Sequence, residues 1–380
     1  MLLIPDSTLH AQIFNLLEAA HKQGDYGPMS FNRSNDAAAG SASSSGESAT
    51  VDGGTDAAVA AATNAYDSST RASYDSNWAR DVDYTIRNLR ALADAQNIAF
   101  ADRNKYMGDA DFIDLPMPNS GIEGFPDAGG LFSKEYARER WRDYGGRTQE
   151  QVPWGVPPDW DGELGAGMLE DDHGTTHFVV VDKDKNMVSW TTTIESNMGS
   201  SVVVPGRGFP LNNEMTDFDA TAEDSDGLPN ANAPQGGKMP RRTALIPEER
   251  ELLGGKRPRS SMSPTIVLKD GEPFLAIGCP GGSSIIGAVT NALLGRLVHE
   301  LPLQTAVDLP RIISKNPTNA IETPMCVQWP GVCEEFQRAY PNTYVSGPGT
   351  LVQAIEISPG GEMLSAADTK RIDSGACGAI

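Results

Sequence analysis

The sequence predicts an α+β fold in which sheets are covered by helices. Three observations carry this. β-forming runs come in pairs around turn residues: Phe178-Val179-Val180-Val181 and 187–193 around Asp182-Lys183-Asp184-Lys185-Asn186, Thr265-Ile266-Val267-Leu268 and Phe274-Leu275-Ala276-Ile277 around Asp270-Gly271, and 352–357 with 363–367 around Pro359-Gly360-Gly361. Segments with apolar residues at helical spacing precede and separate these hairpins. The run Gly278-Cys279-Pro280-Gly281-Gly282-Ser283-Ser284 turns a strand directly into a helix, 285–301.

In chain order, residues 9–20 read as a helix with Ile13, Leu16 and Leu17 on one face. Residues 34–56 are almost all Ser, Gly, Ala, Asp and Asn, the composition of a disordered insertion or linker. The Ala-rich 56–65 is only weakly periodic. Residues 83–106 read as a helix, with Ile86, Leu89, Ala93 and Phe100 inward and Arg87, Arg90 and Asp94 outward. Ser133 suits the N-cap of a helix over 133–141. Gly and Pro dominate 144–169, which ends in Glu170-Asp171-Asp172 and should be exposed to cleavage. Val179, Val180 and Val181 read as a buried strand. The run Leu211-Asn212-Asn213-Glu214-Met215-Thr216-Asp217 suggests a turn presenting carboxylates. Residues 220–255 read by length as a lid or insertion.

Composition narrows the function. The chain has 380 residues, 39% of them hydrophobic, with 30 Lys+Arg against 51 Asp+Glu for a net charge of −21. A balance this acidic argues against nucleic acid and anionic membrane as partners. No run approaches the ~18 apolar residues of a membrane span, and the first residues, Met1-Leu2-Leu3-Ile4-Pro5-Asp6, do not form a signal peptide. His10, His21, His173, His177 and His299 make no metal-ligand pattern, so neither metal nor cofactor is expected. Free thiols are the expectation for Cys279, Cys326, Cys333 and Cys377, a Cys326–Cys333 bridge being the one alternative.

Four groups of residues bear on chemistry, and each also has a plain structural reading. Thr175 follows Gly174 at a strand start. In an intact chain that is an ordinary hairpin. In a chain cut before Thr175, a free α-amine with a pKa near ~8 stands beside its own hydroxyl, a base and nucleophile in one residue. Gly281 and Gly282 either make a tight turn or aim two N–H groups at a phosphate or oxyanion; no Lys-Ser/Thr follows to make a phosphate loop. Ser260 and Ser261, beside Lys256-Arg257-Pro258-Arg259, are a polar strand lead-in or a carboxylate site. Glu195, Glu214 and Asp217 are solvated acids or, if gathered, a site for an ammonium group.

Five motifs occur in order: Thr175-Thr176-His177-Phe178, Thr191-Thr192-Thr193-Ile194-Glu195, Leu211-Asn212-Asn213-Glu214-Met215-Thr216-Asp217-Phe218, Lys256-Arg257-Pro258-Arg259-Ser260-Ser261-Met262-Ser263-Pro264 and Pro280-Gly281-Gly282. The set resembles the small subunit of γ-glutamyltransferases, members of the N-terminal nucleophile hydrolases. Ala99-Phe100-Ala101-Asp102-Arg103-Asn104-Lys105-Tyr106-Met107-Gly108-Asp109 resembles the end of the family's large subunit. The resemblance implies a four-layer αββα sandwich and autocatalytic cleavage between Gly174 and Thr175. It assigns Thr175 as nucleophile, Thr193 as its hydrogen-bonding helper, and Gly281 and Gly282 as the oxyanion hole. Glu195, Glu214 and Asp217 would hold the α-amino group of a γ-glutamyl moiety, and Ser260 and Ser261 its α-carboxylate. The implied activity is ping-pong γ-glutamyl transfer and hydrolysis, from glutathione or other γ-glutamyl compounds to an amino acid, a peptide amine or water. It implies no cofactor, fragments that stay associated, and an extracellular or periplasmic setting. Residues 1–174 correspond to a shortened large-subunit-like segment and 175–380 to the small-subunit-like catalytic segment, both parts of one αββα domain.

The pattern also departs from the family's. The family's large subunit is longer than the stretch ahead of Thr175, and its N-terminal part carries an Arg that clamps the substrate carboxylate; no matching segment is found. Without it only Ser260 and Ser261 meet the carboxylate, and weak activity is expected; full activity would mean that another residue, such as Arg259 in place of an apolar residue, had taken over the clamp. Cys279 stands where Ser is usual, and Ser201 where a glycine is expected. Two other readings follow: a glutaryl-type acylase, against which the three acids argue because a glutaryl group has no ammonium, or a degenerate, uncleaved member.

Overall fold

The computed structural model describes residues 7–26, 82–110, 112–113, 115–116, 130–147, 151–158, 160, 174–224, 227–234, 255–347, 349–369 and 378. The stretches 34–56 and 56–65, the acids Glu170-Asp171-Asp172, His173, residues 235–254 and Cys377 lie outside them. The elements are α1 (Ser7–Gln23), α2 (Val82–Tyr106), α3 (Lys134–Tyr144), β1 (Thr175–Val181), β2 (Met187–Thr193), β3 (Thr265–Lys269), β4 (Glu272–Gly278), α4 (Ile285–Leu293), α5 (Leu303–Asp308), β5 (Ile312–Ser314), β6 (Asn319–Glu322), α6 (Thr323–Gln328), α7 (Pro330–Ala339), β7 (Thr343–Ser346), β8 (Gln353–Ile357) and β9 (Met363–Ala367).

The predicted α+β fold holds, and α2 is its central helix. Ala91, Ala95, Ile98 and Ala99 pack with Leu9, Ile13 and Leu16 of α1 and Trp141 of α3. Another side, Ile86, Leu89 and Ala93, packs on Ile312, Ile321, Met325 and Phe336. A helix covered on more than one side carries no single polar face, so Asp94, expected outward, is buried. It accepts from the Tyr340 hydroxyl at 2.6 Å and the Gly146 N–H at 2.8 Å, and burial pushes its pKa up to about 7. Ser133 caps α3 as expected, its hydroxyl accepting from the N–H groups of Glu135 and Tyr136, each at 3.2 Å. The helix expected over 285–301 divides: α4 ends at Leu293, and Leu294–Val298 continues as a wider π turn.

Strands β3-β4-β8-β9 form an antiparallel sheet in that order. One face of it packs on α4, where Leu275, Ile277 and Ala354 meet Ile285, Ala288 and Val289. The β1–β2 hairpin stacks on the other face. Its inward face includes polar residues: Ser189 donates to the Ile277 carbonyl at 2.9 Å, and His177 lies over Gly278, where an added Cβ would sit 2.3 Å from the ring. Two stacked sheets with helices beyond one of them are therefore present among the described residues.

This one-sided stacking corrects the reading of Val179, Val180 and Val181 as a uniformly buried run. β1 alternates: Val180 is 51% exposed, whereas Val179 and Val181 are half-buried. Phe178 and Trp190, directly opposite across the hairpin, stack on its outer face with ring centroids 6.1 Å apart. The thiol expectation is corrected too. Cys326 and Cys333 form a disulfide, because the α6–α7 bend brings their Cα atoms to 5.0 Å, within bridging range. Cys279 is a buried free thiol. The third sheet, β5-β6-β7, joins antiparallel and parallel pairings; these strands, α5, α6 and α7 carried no recognised sequence signal.

Gly278→Ala should drive a methyl into the His177 ring and cost about 1–3 kcal/mol, read as a lower denaturation midpoint. Burial lowers the His177 pKa from 6.5 to about 4. The unfolded chain then takes up this proton before the native one does, so the stabilisation is full above 6.5 and is lost as pH falls toward 4. The drop in urea midpoint between pH 7 and pH 4.5 should be smaller in His177→Gln than in the parent chain.

Candidate active site

Thr175 opens β1 and pairs with Thr193, the last residue of β2. The hairpin register thereby brings the two hydroxyls together, Thr175 Oγ1 donating to Thr193 Oγ1 at 3.1 Å. Thr193 Oγ1 also accepts the backbone N–H of Glu195 at 2.8 Å, so both of its lone pairs are engaged and its own proton is left to give. Glu195 has φ 70°, a conformation a non-glycine residue holds only where its surroundings impose it. Its carbonyl accepts the N–H of Gly174 at 2.5 Å. A Cβ on Gly174 would lie 2.3 Å from that oxygen and 2.5 Å from the Ser196 oxygen, so only glycine lets the chain enter β1 here.

The Glu195 side chain is buried. Its carboxylate accepts from the Ser196 hydroxyl at 2.6 Å and from the Asn213 amide. Asn213 also accepts the Ser196 N–H at 3.0 Å and leads into a 3-10 turn, Glu214–Asp217. Both end carboxylates of that turn are half-buried. The expected carboxylate-presenting turn is present, and Asn213 joins it to Glu195. Asn232 continues the chain of contacts: its amide donates to the Asp217 carbonyl at 2.8 Å, and its oxygen accepts the N–H of Arg259 at 2.7 Å.

Arg259 immediately precedes the two serines, but its guanidinium turns away to Asp219, 3.5 Å distant, with both side chains buried. Arg257 is likewise engaged, at 2.6 and 2.9 Å from the two carboxylate oxygens of Asp109. A buried Asp thus claims Arg259. The cation that reaches the serines is Arg103, near the end of α2. Its Nη2 donates to Ser261 Oγ at 2.9 Å and to the Ser260 carbonyl at 3.4 Å.

Gly281 and Gly282 form the β4–α4 turn, with φ 137° and 55°. At Gly281 a Cβ would meet Thr350 Cγ2 at 2.6 Å, so glycine is required both by conformation and by space. Thr350 is held by Arg311, whose fully buried guanidinium also pairs with Asp368 at 2.6 Å. Next to Gly282, Ser283 accepts from the buried ammonium of Lys315 at 2.9 Å. A cavity of about 260 Å³, lined in part by Gly281, Lys315, Glu322 and Thr350, lies beside this turn.

Direct contacts thus unite Gly174, Thr175, Thr193 and Glu195 and continue through Asn213 to the Glu214–Asp217 turn; Asn232 links that turn to the backbone of Arg259, which precedes Ser260 and Ser261 in the chain. Gly281 and Gly282 adjoin this group through the backbone, three and four residues past Gly278, which lies against His177. Sequence reasoning missed Asn213, Asn232 and Arg103 as parts of the site. Arg103 lay in a quoted motif, Ala101-Asp102-Arg103, without a role. The signal available was an Arg on an otherwise buried helical segment, which calls for a specific partner.

With this geometry in view, the fold is that of the N-terminal nucleophile hydrolases. It is shared with a cephalosporin acylase from Bacillus halodurans at TM-score 0.53 and 20% identity, over 79% of this chain and 46% of that one. The family model described as gamma-glutamyltranspeptidase matches residues 53–378, and the chain belongs to that family. A glutathione hydrolase proenzyme from Pseudomonas sp. (strain A14) is 35% identical over 237 residues, 61% of this chain and 34% of the relative. A protein named putative inactive glutathione hydrolase 4, from Arabidopsis thaliana, is 34% identical over 209 residues, 54% of this chain and 92% of the relative. The chain spans about a third of the length of the bacterial proenzymes it resembles. No helix among the described residues is long and apolar enough to cross a membrane.

Gly174→Ala should push the Glu195 turn away from β1. A stability loss of about 1–3 kcal/mol is expected, with amide exchange in 193–196 accelerated; unchanged exchange there would contradict the close packing.

Proposed function

We propose that this chain carries out γ-glutamyl transfer and hydrolysis through a Thr175 nucleophile that it exposes by cutting its own backbone. The observation that carries the reading is the pairing of Thr175 and Thr193 hydroxyls at 3.1 Å beside a Gly174 pinned by Glu195. Attack of Thr175 Oγ1 on the Gly174 carbonyl forms an ester. The Gly174–Thr175 C–N bond breaks, and the departing nitrogen takes the hydroxyl proton to become a free α-amine. Water then cleaves the ester, leaving a Gly174 carboxylate and Thr175 as a new N-terminus. That amine is the base for the next reaction, in which Thr175 takes the γ-glutamyl group from its amide and passes it to water or to an acceptor amine. Residues 1–174 and 175–380 remain together as one αββα domain, through contacts such as Asp109 with Arg257.

Substrate recognition follows from charge. Glu195, Glu214 and Asp217 receive the ammonium of the γ-glutamyl group, Ser260 and Ser261 its carboxylate, and Gly281 and Gly282 the oxyanion. A glutaryl group has no ammonium for these acids to hold. The name of the short Arabidopsis relative favours a second reading, a chain that is folded but does not react.

Intact mass and N-terminal sequencing of purified protein separate the two. The parent chain should yield a fragment beginning Thr-Thr-His and Thr175→Ala should stay whole; a parent chain that stays whole supports the inactive reading. Glu214→Ala or Asp217→Ala should leave cutting largely intact and lower kcat/KM for γ-glutamyl-p-nitroanilide by about 10- to 100-fold. Equal losses with a glutaryl anilide would show that these acids do not hold an ammonium.

A further inference from the structure

We infer that Arg103 is a positioning residue for the carboxylate subsite, delivering its charge to substrate through the Ser261 hydroxyl. The inference rests on the proposed role of Ser260 and Ser261. A serine hydroxyl has one proton and two lone pairs. At Ser261 one lone pair is occupied by the Arg103 guanidinium at 2.9 Å. A cation donating into an oxygen makes its O–H a stronger donor, and that proton cannot be directed back at the cation. Ser260 is set the same way by the backbone: its hydroxyl accepts the Met262 N–H at 3.2 Å, while its carbonyl takes the second Arg103 contact at 3.4 Å. Both hydroxyls are left to donate elsewhere, as a carboxylate requires of them.

Arg103 itself is 2% exposed, so it acts through Ser261. Its position is fixed by its neighbour. Asp102, fully buried, accepts from Gln12 at 2.7 Å, Gly155 at 2.9 Å, Tyr136 at 3.0 Å and Arg140 at 3.1 Å. This set pins the α2 turn from which Arg103 reaches the serines. Arg103 and Ser261 lie on opposite sides of the Gly174–Thr175 bond, so after cutting the contact joins two fragments. The carboxylate subsite of the 175–380 fragment is thus completed by the 1–174 fragment. Lys256, Arg257 and Arg259 are nearer in sequence, but Arg257 and Arg259 are committed to Asp109 and Asp219.

The test compares the parent chain with Arg103→Gln, Arg103→Lys, Ser261→Ala and the Arg103→Gln/Ser261→Ala pair. Two substrates are used: γ-glutamyl-p-nitroanilide and 4-aminobutyryl-p-nitroanilide, which lacks the α-carboxylate. Arg103→Gln should raise KM for the γ-glutamyl compound about 10-fold or more with little change in kcat, and leave kcat/KM for the 4-aminobutyryl compound unchanged. Arg103→Lys should recover part of the loss. The double variant should be no worse than Ser261→Ala alone, because the effect passes through that hydroxyl. Equal losses on both substrates, or additive losses in the double variant, would overturn the inference. Calorimetric titration with L-glutamate and 4-aminobutyrate separates it from the proposed activity. If the parent chain hydrolyses neither anilide but binds glutamate, and Arg103→Gln loses only that binding, the activity falls and the inference stands. If the parent chain does not bind glutamate, the inference falls with it.

Discussion

The candidate site depends on the turn at Glu195. Its N–H caps the Thr193 hydroxyl, its carbonyl holds the Gly174 N–H, and its buried carboxylate takes Asn213 and Ser196. One residue therefore sets the entry of β1, the exit of β2 and the placement of the acid-bearing turn. The left-handed backbone of Glu195 is a local cost of about 1–2 kcal/mol for a residue with a Cβ, offset by four hydrogen bonds made at once. Ser201, six residues on, also has positive φ, 61°, at the position where a glycine was expected.

A second theme is how a chain of net charge −21 uses its few cations. Arg103, Arg140 and Arg311 are buried, as is the side chain of Arg259, and at three of the four the partner carboxylate is buried too: Asp102, Asp219 and Asp368. Leaving one partner of such a pair alone costs about 3–5 kcal/mol, so these pairs specify which loops meet. Arg311 fixes Thr350, and Thr350 packs on Gly281. Arg259 bonds Asp219 beyond the acid turn, and Arg140 anchors Asp102 beside Arg103. Arg257 and Arg259, which look available in sequence beside the serines, are engaged by Asp109 and Asp219.

Much of the fold was legible because its signals are local. The three hairpins carry turn residues at fixed offsets, α3 carries its own cap, and Gly281 marks a conformation that L side chains rarely adopt. The 303–346 region was not legible. Its strands have three or four residues each and one pairing is parallel, so no alternation long enough to detect exists, and partners are chosen by distant chain. The burial of β1 was misjudged for a related reason: a valine run states that a strand forms, not how many of its faces are covered.

The order of motifs, read alone, determined the family, and residue chemistry suggested a role for each group: acids for an ammonium, hydroxyls for a carboxylate, N–H groups for an oxyanion. Which members touch was decided only by tertiary structure. Arg259 neighbours Ser260 in the chain yet points to Asp219, whereas Arg103, 158 positions from Ser261, donates to it. The reason is that a guanidinium goes where a buried carboxylate or a converging oxygen awaits it. Such partners are assembled by packing α2 against the strand lead-in, and sequence distance carries no record of that packing.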